Sequence, residues 1–373
     1  MNLCYIEKRF DYLELLNKFV KSNVNIMGIK CTEELKSDDL LIISNKDPDY
    51  EELIKKVPNA FIWEKIYEDV HIYSRDRYAA NYDFYHLKYS LERALKPEIE
   101  AIAVGSSYAL FGIEESELNT PCVNLALASQ DIYYACLIGR HVINQNSNIK
   151  KIFIGTGYYT FYSDLSLTQG GELMRLTDIY YPIFRDKHNC QELLKSEIPV
   201  LFEHEIFDME QITEICCKEL FEEFNGKYFT GTKDRFKSRV VIRGIPDTKW
   251  YELSDTLQEE AAYEIANSHN KAIRYIDSYK ENIKILNSFT TFCNERNVRV
   301  YLLAFPNTEF YKKYLLKEYK ETYMSALNSI NGEIRFIDLN NCDIFEDKDF
   351  VDMDHLDKSG AIKVSEYINN INL

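Results

Sequence analysis

The sequence predicts an α/β protein: a doubly wound parallel sheet with a helical insertion, preceded by a small α/β unit. Three observations predict it. Short apolar runs recur beyond residue 97, with helical patterns between them, as parallel strands and their crossovers require. Residues 165–296 are mostly helical in pattern and interrupt that alternation. Residues 1–75 carry a strand and helix pattern of their own.

In the first unit, residues 10–20 place Leu13, Leu16 and Phe19 at helical spacing. The runs VNIMGI (24–29) and LLIIS (40–44) read as buried strands. DYEELIKKV reads as a connecting helix, followed by AFIWEKI. This unit has no phosphate-loop glycines, so a structural or docking role is expected. A helix over residues 78–95 leads into the second unit, 76–373. There the strand runs fall at 99–104, 122–127, 152–154, 298–305 and 334–337, with a helical pattern at 132–143. Residues 165–296 read as an insertion or cap between two core strands.

Composition narrows the function. A formal net charge of −16 opposes broad nucleic-acid binding, because phosphates are repelled. The densest basic run, KDRFKSR (233–239), contains an acid and reads as a solvated face. No 18-residue uncharged apolar run exists, so no membrane span is expected. The start, MNLCYIEKRF, carries charges where a signal peptide needs an apolar stretch, which predicts a cytoplasmic protein. Nine scattered cysteines without a CxxC pair fit reduced thiols better than disulfides or a zinc site. No metal is expected.

In open parallel sheets, ligands bind beyond the carboxyl ends of the strands. Five segments would converge there: GSS after the first strand, ALASQD, GTGYYTF, FPNTEF and FVDMDHLDKSG. Gly105 allows a sharp turn off the strand. Ser107 would open a helix, where the dipole favours a developing oxyanion. A serine needs a base, and His355 is the best candidate, with Asp352 three residues before it to orient the ring. Bland readings stand beside these. G-S-S is also a turn or phosphate-loop pattern, and Asp354 or Asp357 is equally a cap for the last helix. His269 and four other histidines have no evident partner.

The blocks VGSSYALFGI and FVDMDHLDKSGAIKVSEYI together resemble the first and last blocks of the SGNH, or GDSL-type, hydrolase superfamily, over roughly residues 97–373. The resemblance implies a flavodoxin-like three-layer fold and hydrolysis or transfer of acyl groups on esters. It transfers the nucleophile to Ser107, the base to His355 and the acid to Asp352. The middle blocks depart from the family. NLALASQD offers Ser129 where the family has a glycine, and GTGYYTF puts Gly157 where an asparagine belongs. The oxyanion donor would then come from Thr156, Tyr158 or Asn124. Losing one such donor costs about 10²–10³ in rate.

The departing pattern resembles branches that modify bacterial cell-surface polymers. That implies a carbohydrate or glycan precursor, with an acetyl group as the expected acyl. The expected partner is therefore an acylated small molecule or glycan. No cofactor is implied for a hydrolase; a transferase would draw on an acyl donor such as acetyl-CoA. The competing reading is a catalytically silent binding or scaffold protein in a glycan-modification pathway.

Overall fold

The computed structural model describes residues 1–192, 195, 203–223, 229–230, 233–234 and 249–371. It divides into two compact units: Met1–Tyr85 with Ile198–Lys227, and His86–Glu197 with Tyr228–Leu373.

The first unit is built on a parallel sheet of β1 (Asn2–Ile6), β2 (Asn25–Ile29), β3 (Asp39–Ile43) and β4 (Phe61–Ile62), ordered β2-β1-β3-β4. Alternate residues of β1 enter separate cores. Leu3 packs with Phe19, Trp63 and Ile212, and Cys4 with Leu41, Ile43 and Leu53. The boundary differs from the expected residue 75. This unit runs to Tyr85 and also takes Ile198–Lys227, part of the stretch read as an insertion in the second unit. The reason is apolar area. The helix Met209–Glu223 buries Met209, Ile212 and Cys216 in the cluster around Leu3 and Phe19. Helical periodicity reveals such a face but not the partner that covers it.

The second unit carries β5 (Ala101–Gly105), β6 (Cys122–Asn124) and β7 (Lys151–Thr156). A short antiparallel hairpin follows, β8 (Phe229–Thr230) with β9 (Lys233–Asp234). Beyond Lys233–Asp234, the basic run lies outside the described residues. Then come β10 (Arg299–Ala304) and β11 (Ile334–Asp338). These strands, without the hairpin, form one all-parallel sheet ordered β11-β10-β7-β5-β6. Counted within the unit, the order is 2-1-3-4-5, the doubly wound pattern that reverses direction between β5 and β7.

Helices Ile132–Gln145 and Ile276–Asn294 pack together on one side of this sheet. On the other lie Ser107–Gly112 and Lys358–Asn370. Ile276–Asn294 falls within residues 165–296, yet it packs against β10 as a crossover helix and not as a cap. The run 122–127 is a strand only to Asn124. Leu125 and Leu127 then follow β5, donating to the carbonyls of Ala103 and Gly105 at 2.7 and 3.2 Å. That path carries residues 128–131 to the carboxyl edge at the reversal point.

Candidate active site

β5 ends in a turn that only glycine fits. Gly105 has φ +117, and a Cβ there would lie 2.3 Å from the Gly155 carbonyl oxygen. Its N–H donates to Gln130 Oε1 at 2.6 Å. Ser106 then caps the following helix, its Oγ accepting from the Tyr108 N–H at 3.4 Å. Ser107 takes the first helical position, where its own N–H has no intrahelical acceptor. Gly105→Ala is therefore expected to destabilise the protein by about 3 kcal/mol or more, from strain and overpacking combined. Urea unfolding measures it, and a change under about 1 kcal/mol contradicts this account of the turn.

The C-terminal block forms a pinned loop. The Thr308 N–H and Oγ1 both donate to the Met353 carbonyl, at 3.0 and 2.8 Å, and the Val351 N–H donates to the His355 carbonyl at 3.0 Å. Asp357, not Asp354, caps the last helix by accepting from Ser359 N and Gly360 N. Asp352 Oδ1 accepts the N–H groups of Asp354 and His355, at 3.1 and 2.8 Å.

This loop brings His355 to Ser107. His355 Nε2 lies 2.7 Å from Ser107 Oγ, and Nδ1 lies 2.9 and 3.1 Å from the two Asp352 carboxylate oxygens. The ring stacks on Tyr108 at 5.4 Å between centroids. Asp354, which the sequence reading considered only as a cap, is a second acid beside the same nitrogen. Its Oδ1 lies 3.2 Å from Nδ1, and its Oδ2 accepts from the Tyr108 hydroxyl at 3.0 Å. Burial pulls the imidazole pKa down, but Asp352 and Asp354 outweigh it and lift it from 6.5 to about 9. Burial opposes the Asp354 charge too, yet His355, His269 and Tyr108 hold its carboxyl well below the usual range.

Ser107 and His355 open onto a cavity of about 430 Å³ at the carboxyl edge. Ser129 lines it, exposed, at φ 59, a left-handed conformation at which glycine is at ease. Its N–H donates to no group among the described residues. The other expected oxyanion residues are committed elsewhere. Asn124 Nδ2 donates to the Ala109 and Ile113 carbonyls, and its Oδ1 accepts from Ala126 N. Thr156 Oγ1 donates to the Leu303 carbonyl and lies 2.6 Å from the Tyr323 hydroxyl. The Tyr158 hydroxyl donates to Asp338. The Gly157 N–H goes to Thr160 Oγ1, and a side chain at 157 would strike the Tyr108 ring, 2.7 Å from its Cβ. Tyr108 thus fills the space that a side-chain donor at 157 would need.

His269 lines the same cavity, stacked on Tyr159 at 4.3 Å. Asp131, a buried residue of the same lining, caps the helix Ile132–Gln145 and also accepts from Leu165 N. Burial raises its carboxyl to about 6, against those two N–H groups. DMDH displays Asp354 beside His355, so a signal for that acid existed; His269 lies far along the chain with none.

Among the described residues, two clusters carry the ligand types of a metal site: Asp352–Asp354–His355 and Asp164–His188–Glu281. Both are closed by hydrogen bonds and ion pairs. In the second, Asp164 faces His188 Nδ1 at 3.5 Å and Glu281 faces Nε2 at 3.6 Å, so the two carboxylates address opposite nitrogens. Asn189 Nδ2 donates to both acids.

Compared with models of known protein families and with curated proteins, the chain matches none. No helix among the described residues is long and apolar enough to cross a membrane.

Proposed function

We propose that the second unit is a serine-dependent acyl-ester hydrolase or O-acyltransferase of the SGNH type, acting on a carbohydrate. One observation carries the reading: Ser107 Oγ, His355 and Asp352 form a continuous hydrogen-bonded line of 2.7 and 2.9 Å at the rim of a cavity. Neutral His355 takes the proton as Ser107 Oγ attacks the ester carbonyl. The tetrahedral oxyanion meets the N–H groups of Ser107 and Ser129. The left-handed turn at Ser129 supports its equivalence to the glycine of the SGNH second block. The imidazolium then protonates the leaving alcohol, and water or a sugar hydroxyl removes the acyl group from Ser107 by the reverse sequence.

The lining bears on the substrate. Tyr159, Tyr162 and Tyr275 all line the cavity, and Tyr275, exposed, offers a ring face suited to a sugar ring. Asp164, Glu172 and Asp354 supply carboxylates, while the cation Arg175 lies 3.4 Å from Glu172. Such a lining favours an uncharged acetylated glycan and disfavours the phosphates of acetyl-CoA or a nucleotide sugar. All nine cysteines are free, which suits a cytoplasmic setting.

The test is acetate release from a neutral acetylated oligosaccharide, a generic acetyl ester and acetyl-CoA at matched concentration. The neutral glycan ester is expected to react at least about tenfold faster than acetyl-CoA, one unfavourable charge contact being worth that factor. Turnover of acetyl-CoA alone would contradict the substrate reading. A catalytically silent binding protein is the second reading, favoured by the absent side-chain donor at Gly157; it requires that no ester be cleaved.

A further inference from the structure

A buried ionised carboxylate is costly unless it is matched, and Asp354 is only 2% exposed. It is matched by a chain of polar groups that the reaction outlined above does not use. Asp354 Oδ2 accepts from the Tyr108 hydroxyl at 3.0 Å and lies 3.9 Å from His269 Nδ1. The Tyr108 hydroxyl lies 3.4 Å from that of Tyr159, which lies 3.4 Å from His269 Nε2. His269 Nδ1 shares a 2.5 Å hydrogen bond with the Tyr311 hydroxyl. These groups come from the helix Ser107–Gly112, the loop after β7 and the helices Asp255–Asn270 and Glu309–Tyr314. They converge on one carboxylate, and that carboxylate touches His355.

We propose that Asp354 is a second positioning carboxylate for His355, held against Nδ1 by Tyr108 and His269. The need for it is visible at Asp352. Asp352 Oδ1 is shared with two backbone N–H groups that shape the loop, at 3.1 and 2.8 Å. Part of its hydrogen-bonding capacity therefore holds backbone, and the imidazolium formed when Ser107 gives up its proton leans on Asp354 as well. The two acids flank Nδ1 and leave Nε2 aimed at Ser107. The Tyr108 ring against the imidazole prevents it from swinging out, and its hydroxyl fixes Asp354 in the same act.

This inference rests on His355 being the base, and the test keeps the two apart. The titration of His355 is followed by NMR in full-length wild type and Asp354→Asn, beside the pH–rate profile on a neutral acetyl ester. Charged or titratable neighbours of the ring are Asp352, Asp354, His269 and Tyr108, so only one is altered. Asp354→Asn is expected to move the midpoint down by about one pH unit or more, as loss of an opposite charge in contact does. It should also lower the alkaline plateau about tenfold with KM unchanged. A merely structural role would reduce rates at every pH and leave the midpoint in place, and that result overturns the proposal. A shifted midpoint in a protein that cleaves no ester supports the positioning role and refutes the hydrolase reading. Should Asp354→Asn fail to fold, Tyr108→Phe decides, since it keeps the stacked ring and removes only the hydroxyl. Its plateau is expected to fall about tenfold, the worth of one hydrogen bond to a charged group. An unchanged plateau there also overturns the proposal.

Discussion

Ser107→Ala is expected to lower turnover of an acetyl ester by at least about 10⁴-fold, with the thermal midpoint nearly unchanged. The hydroxyl lies 2.7 Å from His355 Nε2, and its loss leaves no atom to carry the acyl group. His355→Ala should be as damaging, because a serine without a base remains protonated at neutral pH. The double variant should be hardly worse than either single one, since the two side chains act as a unit. Asp352→Asn should do less. The ring keeps Asp354 on the same nitrogen, although the loop loses part of its acceptor at residues 354 and 355. Equal rates for wild type and Ser107→Ala on every ester would reject the nucleophile and favour the binding-protein reading.

Activity is expected to climb with pH along a limb centred near 9, not near 6.5. His355 is lifted to about 9 by Asp352 and Asp354 against the effect of burial, and only its neutral form accepts the serine proton. Between pH 6 and 8 the rate should rise roughly tenfold per unit, then level above about 9. Stability runs the other way. The folded protein binds this proton more tightly than the unfolded chain does at 6.5. The stabilisation is therefore fully present below about 6.5 and is lost as pH rises through about 9. Thermal melts and initial rates across pH 6–10 check both signs. A rate limb with its midpoint at or below about 7 would contradict the two-carboxylate environment of the ring.

Residues that signal their place in the fold locally were legible in the sequence. Ala101–Gly105, Lys151–Thr156 and Arg299–Ala304 are short apolar runs because a parallel strand under helices is buried on both faces. Ser107 stands just after such a run, and Asp352 and His355 stand just before a strong helix face. The donors Asn124, Thr156 and Tyr158 were misjudged for a common reason. Each lies at a strand end, but where its side chain turns depends on partners distant in sequence: Ala109 and Ile113, Leu303 and Tyr323, and Asp338. Gly157 was read as a lost donor. The structure adds the cause, since the Tyr108 ring occupies the space. His269 was illegible because its partners Tyr159, Tyr311 and Asp354 lie on other elements of the unit. Nor could periodicity show that Met209–Glu223 belongs with the first unit, because an apolar helix face does not name what it covers.

The central claim is that Ser107 is an activated nucleophile, and a serine-directed fluorophosphonate tests it without knowledge of the substrate. The protein is treated at pH 9, where a large share of His355 is neutral, and the adduct is mapped by peptide mass spectrometry. The account predicts one adduct per chain, on Ser107, absent in His355→Ala and much slower at pH 6. A folded wild-type protein that takes up no label at pH 9, or takes it on Ser106 with Ser107 untouched, would contradict it.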